Sequence, residues 1–359
     1  MSGKYIGIDI GTSYVKTAGI EIHGKKLFLN APSLFRSPLY LIENGRISDA
    51  EELRHIIVSG AQKAGIKKAK SIIVLNDSMV ITREIVLPMV KNKEMDQMVK
   101  LEVQSYLPGD ISEYTVRYRI LSQNSTDKSR YAIVTCVKTQ LVNDIYELFK
   151  KTGFTPVLID TPVNSLIKYT KRHMEGEVLQ QNKKTILLNL GASSIDMVVF
   201  QGKVPVSQQV INFNSQRIDV IISNTFNIDR PEAEQYKIRY GLDSLYNSDA
   251  SEMSRTIGSM INNQLDTMMG DLYRRIHEHI TGSTENPVNE IVLTGGLSGI
   301  IGFEKYLSQA FSIPCHIIET EKCIQVKTKK PGTDYKDLDK GSLRLFTGVA
   351  GAAFRGERI

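Results

Sequence analysis

Two stretches of the chain, residues 4–31 and residues 185–211, open on the same plan, and that repetition limits the fold more than any other feature. The first reads as a strand over Lys4–Asp9, the turn Gly11-Thr12-Ser13, a strand over Tyr14–Ile22, the turn Gly24-Lys25 and a third strand over Leu27–Ala31. The second repeats that order. A strand over Thr185–Leu190 meets the turn Gly191-Ala192-Ser193-Ser194, then a strand over Ile195–Phe200, the turn Gln201-Gly202-Lys203 and a strand over Val204–Ile211. Apolar runs of strand length punctuated by Gly and Ser predict hairpins. A three-strand opening that occurs twice marks a duplicated half, not a short-period repeat. With 359 residues the chain can hold two such halves, since one core stops growing near ~250–300 residues.

Other elements fill in around the openings. Leu53, Ile56, Ile57, Ala61 and Ala64 recur at helical spacing, which predicts an amphipathic helix over Ala50–Ala64. Ser71–Leu75 reads as a buried strand and Val80–Leu87 as a further strand. A helix over Lys93–Leu107 stops at Pro108-Gly109, strands over Tyr114–Leu121 and Arg130–Val137 flank a polar tip, and a helix over Leu141–Lys151 ends at Gly153. A strand at Val157–Ile159 leads into a helix from Pro162, and the polar stretch Glu175–Lys184 reads as a linker. The second half continues with helices over Ser215–Thr225 and Arg230–Tyr240 and one long helix from Ala250 to Ile280. The methionines on that long helix share its apolar stripe and read as core. A strand at Glu290–Leu293, a helix at Phe303–Phe311, a strand at Cys315–Ile318, a polar stretch over 321–340 carrying Pro331-Gly332, and a small-residue helix at Leu343–Phe354 complete the order.

Composition removes several classes. With 41% apolar and 23% charged residues the chain is neither collagenous nor mostly disordered. No apolar run approaches the ~18 residues that cross a bilayer, and MSGKYIGIDIG is too short and polar for a secretory signal. Cys136, Cys315 and Cys323 form no metal-ligand spacing, and their odd number fits a reducing cytosol. The net charge of +6 is spread along the chain. Its densest run, Lys63, Lys67, Lys68 and Lys70, reads as a solvated helix face, with a nucleic-acid or lipid patch as the alternative. No aromatic–basic interleaving or zinc finger is present.

Four motifs carry chemistry. In Gly7-Ile8-Asp9-Ile10-Gly11-Thr12-Ser13-Tyr14-Val15-Lys16, a Gly/Thr/Ser turn can aim backbone N–H groups at a phosphate oxygen. Gly11 allows close approach, Lys16 adds a charge, and Asp9 can hold Mg²⁺ through water. Alone, such a turn can be only a hairpin. The second turn, Asn189-Leu190-Gly191-Ala192-Ser193-Ser194-Ile195-Asp196, sits at the matching place of the second half, which strengthens the phosphate reading of both. Third, the strand Ile291–Leu293 breaks into Thr294-Gly295-Gly296-Leu297-Ser298, where paired glycines let backbone lie against a planar base or a phosphate. Fourth, Glu234 and Lys237 stand three apart on one helix face. They read either as a surface ion pair or as a ribose-side acceptor and cation.

Taken in order, these motifs resemble the actin-like ATPase superfamily, which includes actin, the heat-shock chaperone ATPases, sugar kinases and the cell-division protein FtsA. The resemblance spans nearly the whole chain. It implies an α/β actin-like ATPase fold of two RNase-H-like domains with ATP and Mg²⁺ between them. It assigns Asp9 to the metal, Gly11, Thr12, Ser13 and Lys16 to the β/γ-phosphates, and Gly191, Ala192, Ser193 and Ser194 to the second phosphate turn. Glu234 and Lys237 would then touch the ribose, and Gly295, Gly296 and Ser298 the adenosine side. The implied organisation is a first half at 1–77, completed by 154–180 and 341–359, an inserted α/β subdomain at 78–153, and a second half at 181–340 with a smaller subdomain at about 213–285.

A narrower resemblance rests on Ile81-Thr82-Arg83-Glu84-Ile85-Val86-Leu87-Pro88, Leu101-Glu102-Val103-Gln104-Ser105-Tyr106-Leu107-Pro108 and Val116–Leu121. These look like the inserted subdomain of the PilM family of type IV pilus assembly proteins, as does the run Asn227–Gly241. That family implies a cytoplasmic adaptor at the inner face of the membrane. It would bind the N-terminal peptide of a PilN-like membrane protein in a groove beside the insert, lined by residues of about 78–121, and would communicate with the assembly motor ATPases. A homo-oligomer is left open. FtsA-type chains usually continue into a linker and a C-terminal membrane-binding helix; with Ile359 just after the small-residue helix, the expectation is the PilM family over FtsA.

Two departures bear on turnover. The second phosphate motif of the superfamily begins with Asp, and here it begins with Asn189, whose amide can reach the metal's shell but adds no charge. No glutamate aligns to the junction Ile159-Asp160-Thr161-Pro162-Val163-Asn164 to position an attacking water. Asp160 is the nearest carboxylate there, as a weak catalytic candidate or as the helix N-cap. Phosphoryl transfer depends on positioning and electrostatics, so the expectation is ATP binding with slow or no hydrolysis. A small-molecule kinase and an FtsA-like polymerising protein are the rival expectations.

Overall fold

The computed structural model describes residues 4–24, 26–38, 41–75, 79–124, 126–173, 183–281, 287–327 and 340–354. They fall into two units. The first takes the residues up to 173 together with 204–209 and those from 321 onward, and the second takes 183–203 and 210–320. Most of the expected linker over Glu175–Lys184, and Pro331-Gly332, lie outside the described residues.

The first unit begins with β1 (Lys4–Ile10), β2 (Tyr14–His23), β3 (Lys26–Arg36) and the short pair β4 (Ile42–Glu43) and β5 (Arg46–Ile47). It continues with α1 (Ala50–Lys63), β6 (Lys70–Leu75), β7 (Val80–Pro88), α2 (Asn92–Gln104), β8 (Tyr114–Asn124), β9 (Ser129–Lys138), α3 (Thr139–Lys151), β10 (Thr155–Asp160) and α4 (Pro162–His173). Then come β11 (Lys184–Leu190), β12 (Ser194–Gln201), β13 (Val204–Asn212), α5 (Gln216–Phe226), α6 (Arg230–Tyr240), α7 (Glu252–Met268), α8 (Gly270–Thr281), β14 (Val288–Thr294), α9 (Phe303–Phe311) and β15 (Cys315–Ile317). The chain returns to the first unit with β16 (Ile324–Lys327) and α10 (Thr347–Ala353).

The duplication read from the sequence extends to topology. The first large sheet runs β10-β6-β1-β2-β3-β16 and the second runs β13-β12-β11-β14-β15. In each, the opening strand pairs antiparallel with the next strand on one side and parallel with a later strand on the other. Strands such as β6 and β11, buried on both faces, are near-continuous apolar runs for that reason. Each large sheet has its own core, one around Ile8, Leu53, Ile57 and Phe149, the other around Leu188, Met197, Ile261 and Phe303.

The insert is a three-stranded antiparallel sheet, β7-β9-β8. Its core joins Ile85, Leu87, Val134 and Cys136 to Met95, Val99 and Val103 of α2. The last helix before β10 behaves differently. Leu141, Ile145, Leu148 and Phe149 of α3 pack into the core of the first large sheet.

Two expectations change. The long helix expected from Ala250 to Ile280 is two helices, broken at Met269 between α7 and α8. Gly270 starts the second, and a glycine inside a continuous helix costs about 1 kcal/mol relative to alanine. The boundary expected at 340 falls earlier, because β16 pairs parallel with β3 and brings the chain back to the first sheet. No helix among the described residues is long and apolar enough to cross a membrane.

Candidate functional site

Both glycine turns close in the same way. The Gly11 N–H donates to the Tyr14 carbonyl at 3.1 Å, and the Gly191 N–H donates to the Ser194 carbonyl at 3.0 Å. A Cβ on Gly11 would lie 2.7 Å from that carbonyl oxygen, and one on Gly191 would lie 2.8 Å from its counterpart. Each position therefore needs glycine because the turn folds its own carbonyl back over the Cα. The residue just after the third strand of each half then ties the turn down. The Ser37 N–H reaches the Ser13 carbonyl at 3.0 Å, and the Phe213 N–H reaches the Ser193 carbonyl at 3.1 Å. Thr12 is exposed, whereas Ser13, Ala192 and Ser193 are half-buried and Ser194 is buried.

The residues flanking the turns diverge. Asp9 faces Lys16 across the β1–β2 pair, with Nζ 2.7 Å from Oδ2. Asn189 faces Asp196 at the equivalent register of β11–β12, and its amide Nδ2 donates to Asp196 Oδ2 at 2.7 Å. The sequence reading includes Asp196 at the end of the second motif but gives it no role. The signal was available, since it occupies in the second hairpin the place that Lys16 holds in the first. The carboxylate absent from position 189 is present directly across the strand pair.

Asp9 and Asp160 both pair with Val74 of β6, one from each side. They thus share one row near the C-terminal ends of adjacent parallel strands, where open α/β sheets hold ligands. Asp160 is not the cap of α4. Thr161 Oγ1 accepts the Asn164 N–H at 3.2 Å, with Pro162 at the first helical position. The Asp160 carboxylate instead takes the Thr161 N–H, the Asn164 amide at 2.6 Å, the Ser165 hydroxyl at 3.1 Å and the Lys168 ammonium at 2.7 Å. Asn164 also accepts from Arg119 Nη1 of β8 at 2.8 Å, which ties the insert to this corner. Burial pulls the Arg119 guanidinium below its ordinary pKa.

In the second unit, the third motif closes on the second turn. Gly295 has φ +86°, and a Cβ there would lie 2.6 Å from Asn189 Oδ1 and 2.7 Å from the Leu190 carbonyl oxygen. The Ser298 hydroxyl donates to the Gly295 carbonyl at 2.7 Å and holds the bend. Gly296 is far less crowded. Lys237 is buried and committed to Asp219 of α5, with Nζ 2.6 Å from Oδ1. Asp219 was not foreseen, because nothing local in the sequence links α5 to α6. Glu234 stands half-buried one turn away.

Among the described residues no group of three or more His, Cys, Asp or Glu could hold a metal. Single carboxylates such as Asp9 and Asp196 suit Mg²⁺, which keeps several waters and takes one or two carboxylates plus phosphate oxygens. A separate groove of about 470 Å³ lies in the first unit, lined by Arg46, Ile47, Glu51, Asp144, Leu148 and Lys151 among others. It flanks α3, not the 78–121 segment expected to line a docking groove.

No curated protein matches the sequence. Among solved structures the chain is similar to the PilM–PilN type IV pilus biogenesis complex, at 20% identity and TM-score 0.78 over 98% of both chains. It is similar to the ethanolamine utilization protein EutJ from Carboxydothermus hydrogenoformans, at 11% identity and TM-score 0.52, over 97% of this chain and 89% of that one. It is also similar to MreB5 of Spiroplasma citri bound to AMPPNP, at 14% identity and TM-score 0.52, over 98% and 95%. These likenesses establish the actin-like ATPase fold. The family model described as type IV pilus assembly protein PilM matches residues 7–356, and the chain belongs to that family.

Proposed function

We propose that the chain is a nucleotide-binding adaptor of type IV pilus assembly that holds ATP with Mg²⁺ and turns it over slowly or not at all. The observation that carries this is the twin turn. Two glycine hairpins of the same closure are flanked by different cross-strand pairs, the ion pair Asp9–Lys16 and the amide–carboxylate pair Asn189–Asp196. Backbone N–H groups of Gly11–Ser13 and Gly191–Ser194 would take phosphate oxygens, and Lys16 would add charge. Magnesium, when bound, would neutralise phosphate charge, and the carboxylate that each turn could offer to its water shell is Asp9 in the first unit and Asp196 in the second. Slow turnover is supported by the state of Asp160. Four donors, one an ammonium, already occupy its oxygens. Oxygens already taken by four donors have little room left to accept from and orient an attacking water.

The adaptor role implies a partner. The related structure is a PilM–PilN complex, and we assign a PilN-like N-terminal peptide to the groove along α3, where Ile47 and Leu148 offer apolar contact and Arg46, Glu51 and Asp144 offer polar contact. This would seat the protein at the inner face of the membrane, within reach of the motor ATPases. The test is calorimetric titration of purified protein with ATP and Mg²⁺, together with phosphate release and a pull-down on the peptide. Saturable ATP binding with phosphate release far below that of an efficient ATPase is expected. Absence of nucleotide binding, or rapid turnover, would overturn the nucleotide reading. A peptide that fails to bind the parent, or binds an Ile47→Asp variant equally well, would overturn the groove assignment.

A further inference from the structure

The sequence offers one dense basic run, and the fold gathers more lysines beside it. From Leu53 to Leu75 the chain contains no Asp or Glu. Lys67, Lys68 and Lys70 of this stretch are exposed in the loop into β6 and at its first residue. Lys70 pairs with Tyr5 of β1 on one side and Thr155 of β10 on the other, so these three strands start at one end of the sheet. Lys4 begins β1 with its side chain 81% exposed. Lys150 and Lys151 end α3 just before β10, and the Thr155 N–H donates to the Ala69 carbonyl, which joins that turn to the lysine loop.

Six exposed lysines from three separate chain segments therefore converge on one end of the first unit. Lys4 approaches Glu21 at 3.9 Å and Lys150 approaches Glu147 at 3.2 Å. Among the described residues, Lys67, Lys68, Lys70 and Lys151 have no carboxylate partner. The opposite end of β6 carries Val74 between Asp9 and Asp160, four residues or about 13 Å away. The phosphate-binding corner and the lysines thus occupy opposite ends of one sheet.

We propose that this lysine end is a docking surface for anionic lipid headgroups. All six cations are lysines, point charges without the planar fork that favours bidentate recognition of nucleic acid. Of the six, Lys150 stands over the exposed ring of Tyr146 at 4.5 Å, and a single ring is not the series of aromatic platforms on which successive bases stack. They spread over the end of a sheet, a surface suited to a plane of charge, and each lysine near an anionic membrane contributes about 1 kcal/mol. Lys151 also lines the groove along α3, so the surface continues into the region assigned to the peptide of a membrane protein. The lipid proposal stands on the charges alone and does not depend on nucleotide or peptide binding.

The test is co-sedimentation of the full chain with phosphatidylcholine vesicles, with and without phosphatidylglycerol, across a salt series. Binding only to the anionic vesicles, weakened by salt, is expected. A Lys67→Glu, Lys68→Glu, Lys70→Glu variant should lose on the order of 100-fold in partitioning. A charge-matched control, Lys100→Glu, Lys128→Glu, Arg239→Glu, should stay within a few-fold of the parent. Both variants are first shown to keep the parent's melting temperature, and a single Lys68→Glu variant serves if the triple one unfolds. No binding to anionic vesicles at low salt, or an equal loss in the control, overturns the proposal. So does competition in which DNA or polyglutamate displaces the protein from vesicles at equal charge concentration.

Discussion

The two hairpins, β1–β2 and β11–β12, share a backbone and differ in what that backbone carries. In both, a glycine N–H closes the turn at about the same length, and a residue after the third strand pins it. In the first, a carboxylate meets an ammonium across the strands; in the second, an amide meets a carboxylate. The shared part is what a turn needs to present N–H groups. The part that differs sets local charge, which is neutral in the first pair and negative in the second. The two halves therefore share the closure of the turn and differ in the electrostatics beside it.

The surroundings of the two hairpins give the largest test of that comparison. Gly295 presses on Asn189 and Leu190 with a positive φ, whereas a Cβ on Gly348 of α10 would meet Asp9 Oδ2 only at 3.4 Å, ordinary contact. Gly295→Ala should cost about 4 kcal/mol from strain and overpacking together, and Gly348→Ala less than about 1 kcal/mol; chemical denaturation measures both. Equal losses would mean the two hairpins are crowded alike. Next, Gly11→Ala and Gly191→Ala should each cost about 2 kcal/mol, and the two values should agree, as the near-equal approach distances require. Calorimetry on the same variants should show weakened ATP binding at both turns.

A smaller effect is expected from Asn189→Asp, which sets a carboxylate against Asp196. Like charges at hydrogen-bond distance push one carboxyl pKa up, at a cost of about 1–2 kcal/mol near neutrality. The sign follows from proton counting. A carboxyl whose folded pKa is raised binds more protons folded than unfolded at intermediate pH. The variant's deficit should therefore shrink as pH falls from neutral toward the carboxylate range, and thermal melts in a buffer series would show it. A deficit that does not change with pH would mean the two side chains had separated. The smallest change is expected from Asp196→Asn, which keeps an amide–amide pairing and should alter stability by under about 1 kcal/mol. If it also leaves Mg²⁺-dependent ATP binding intact, Asp196 has no part in holding the metal.

Much of this was legible in residue order. Both hairpins announced themselves through alternating apolar runs and Gly/Ser turns, and α1 through its stripe, because those signals are local. Asp160 was harder. The Asp-Thr-Pro sequence offers two capping side chains, and only Pro162, which favours the first helical position, selects Thr161 over Asp160. β16 is four residues, Ile324–Lys327, and is a strand only because β3 lies beside it. Asp219–Lys237 joins two helices whose spacing in sequence carries no period, so its pairing could be found only in three dimensions. The break at Met269 was signalled by Gly270 but masked by an apolar stripe that runs through it.

The short helix α10 packs on α4 and on the first sheet, with Gly351 directly against the Ser165 carbonyl and Val349 against Gly7. Its partners lie in the earliest-made parts of the chain, and the second unit's residues separate them in sequence. During synthesis the second unit can assemble as an uninterrupted run from β11 to β15, apart from the part of β13 that belongs elsewhere. The first unit has α1 and α3 on its sheet early, but β16 and α10 complete it only when the last part of the chain has been made. The half that begins the protein is also the half whose final pieces are synthesised last.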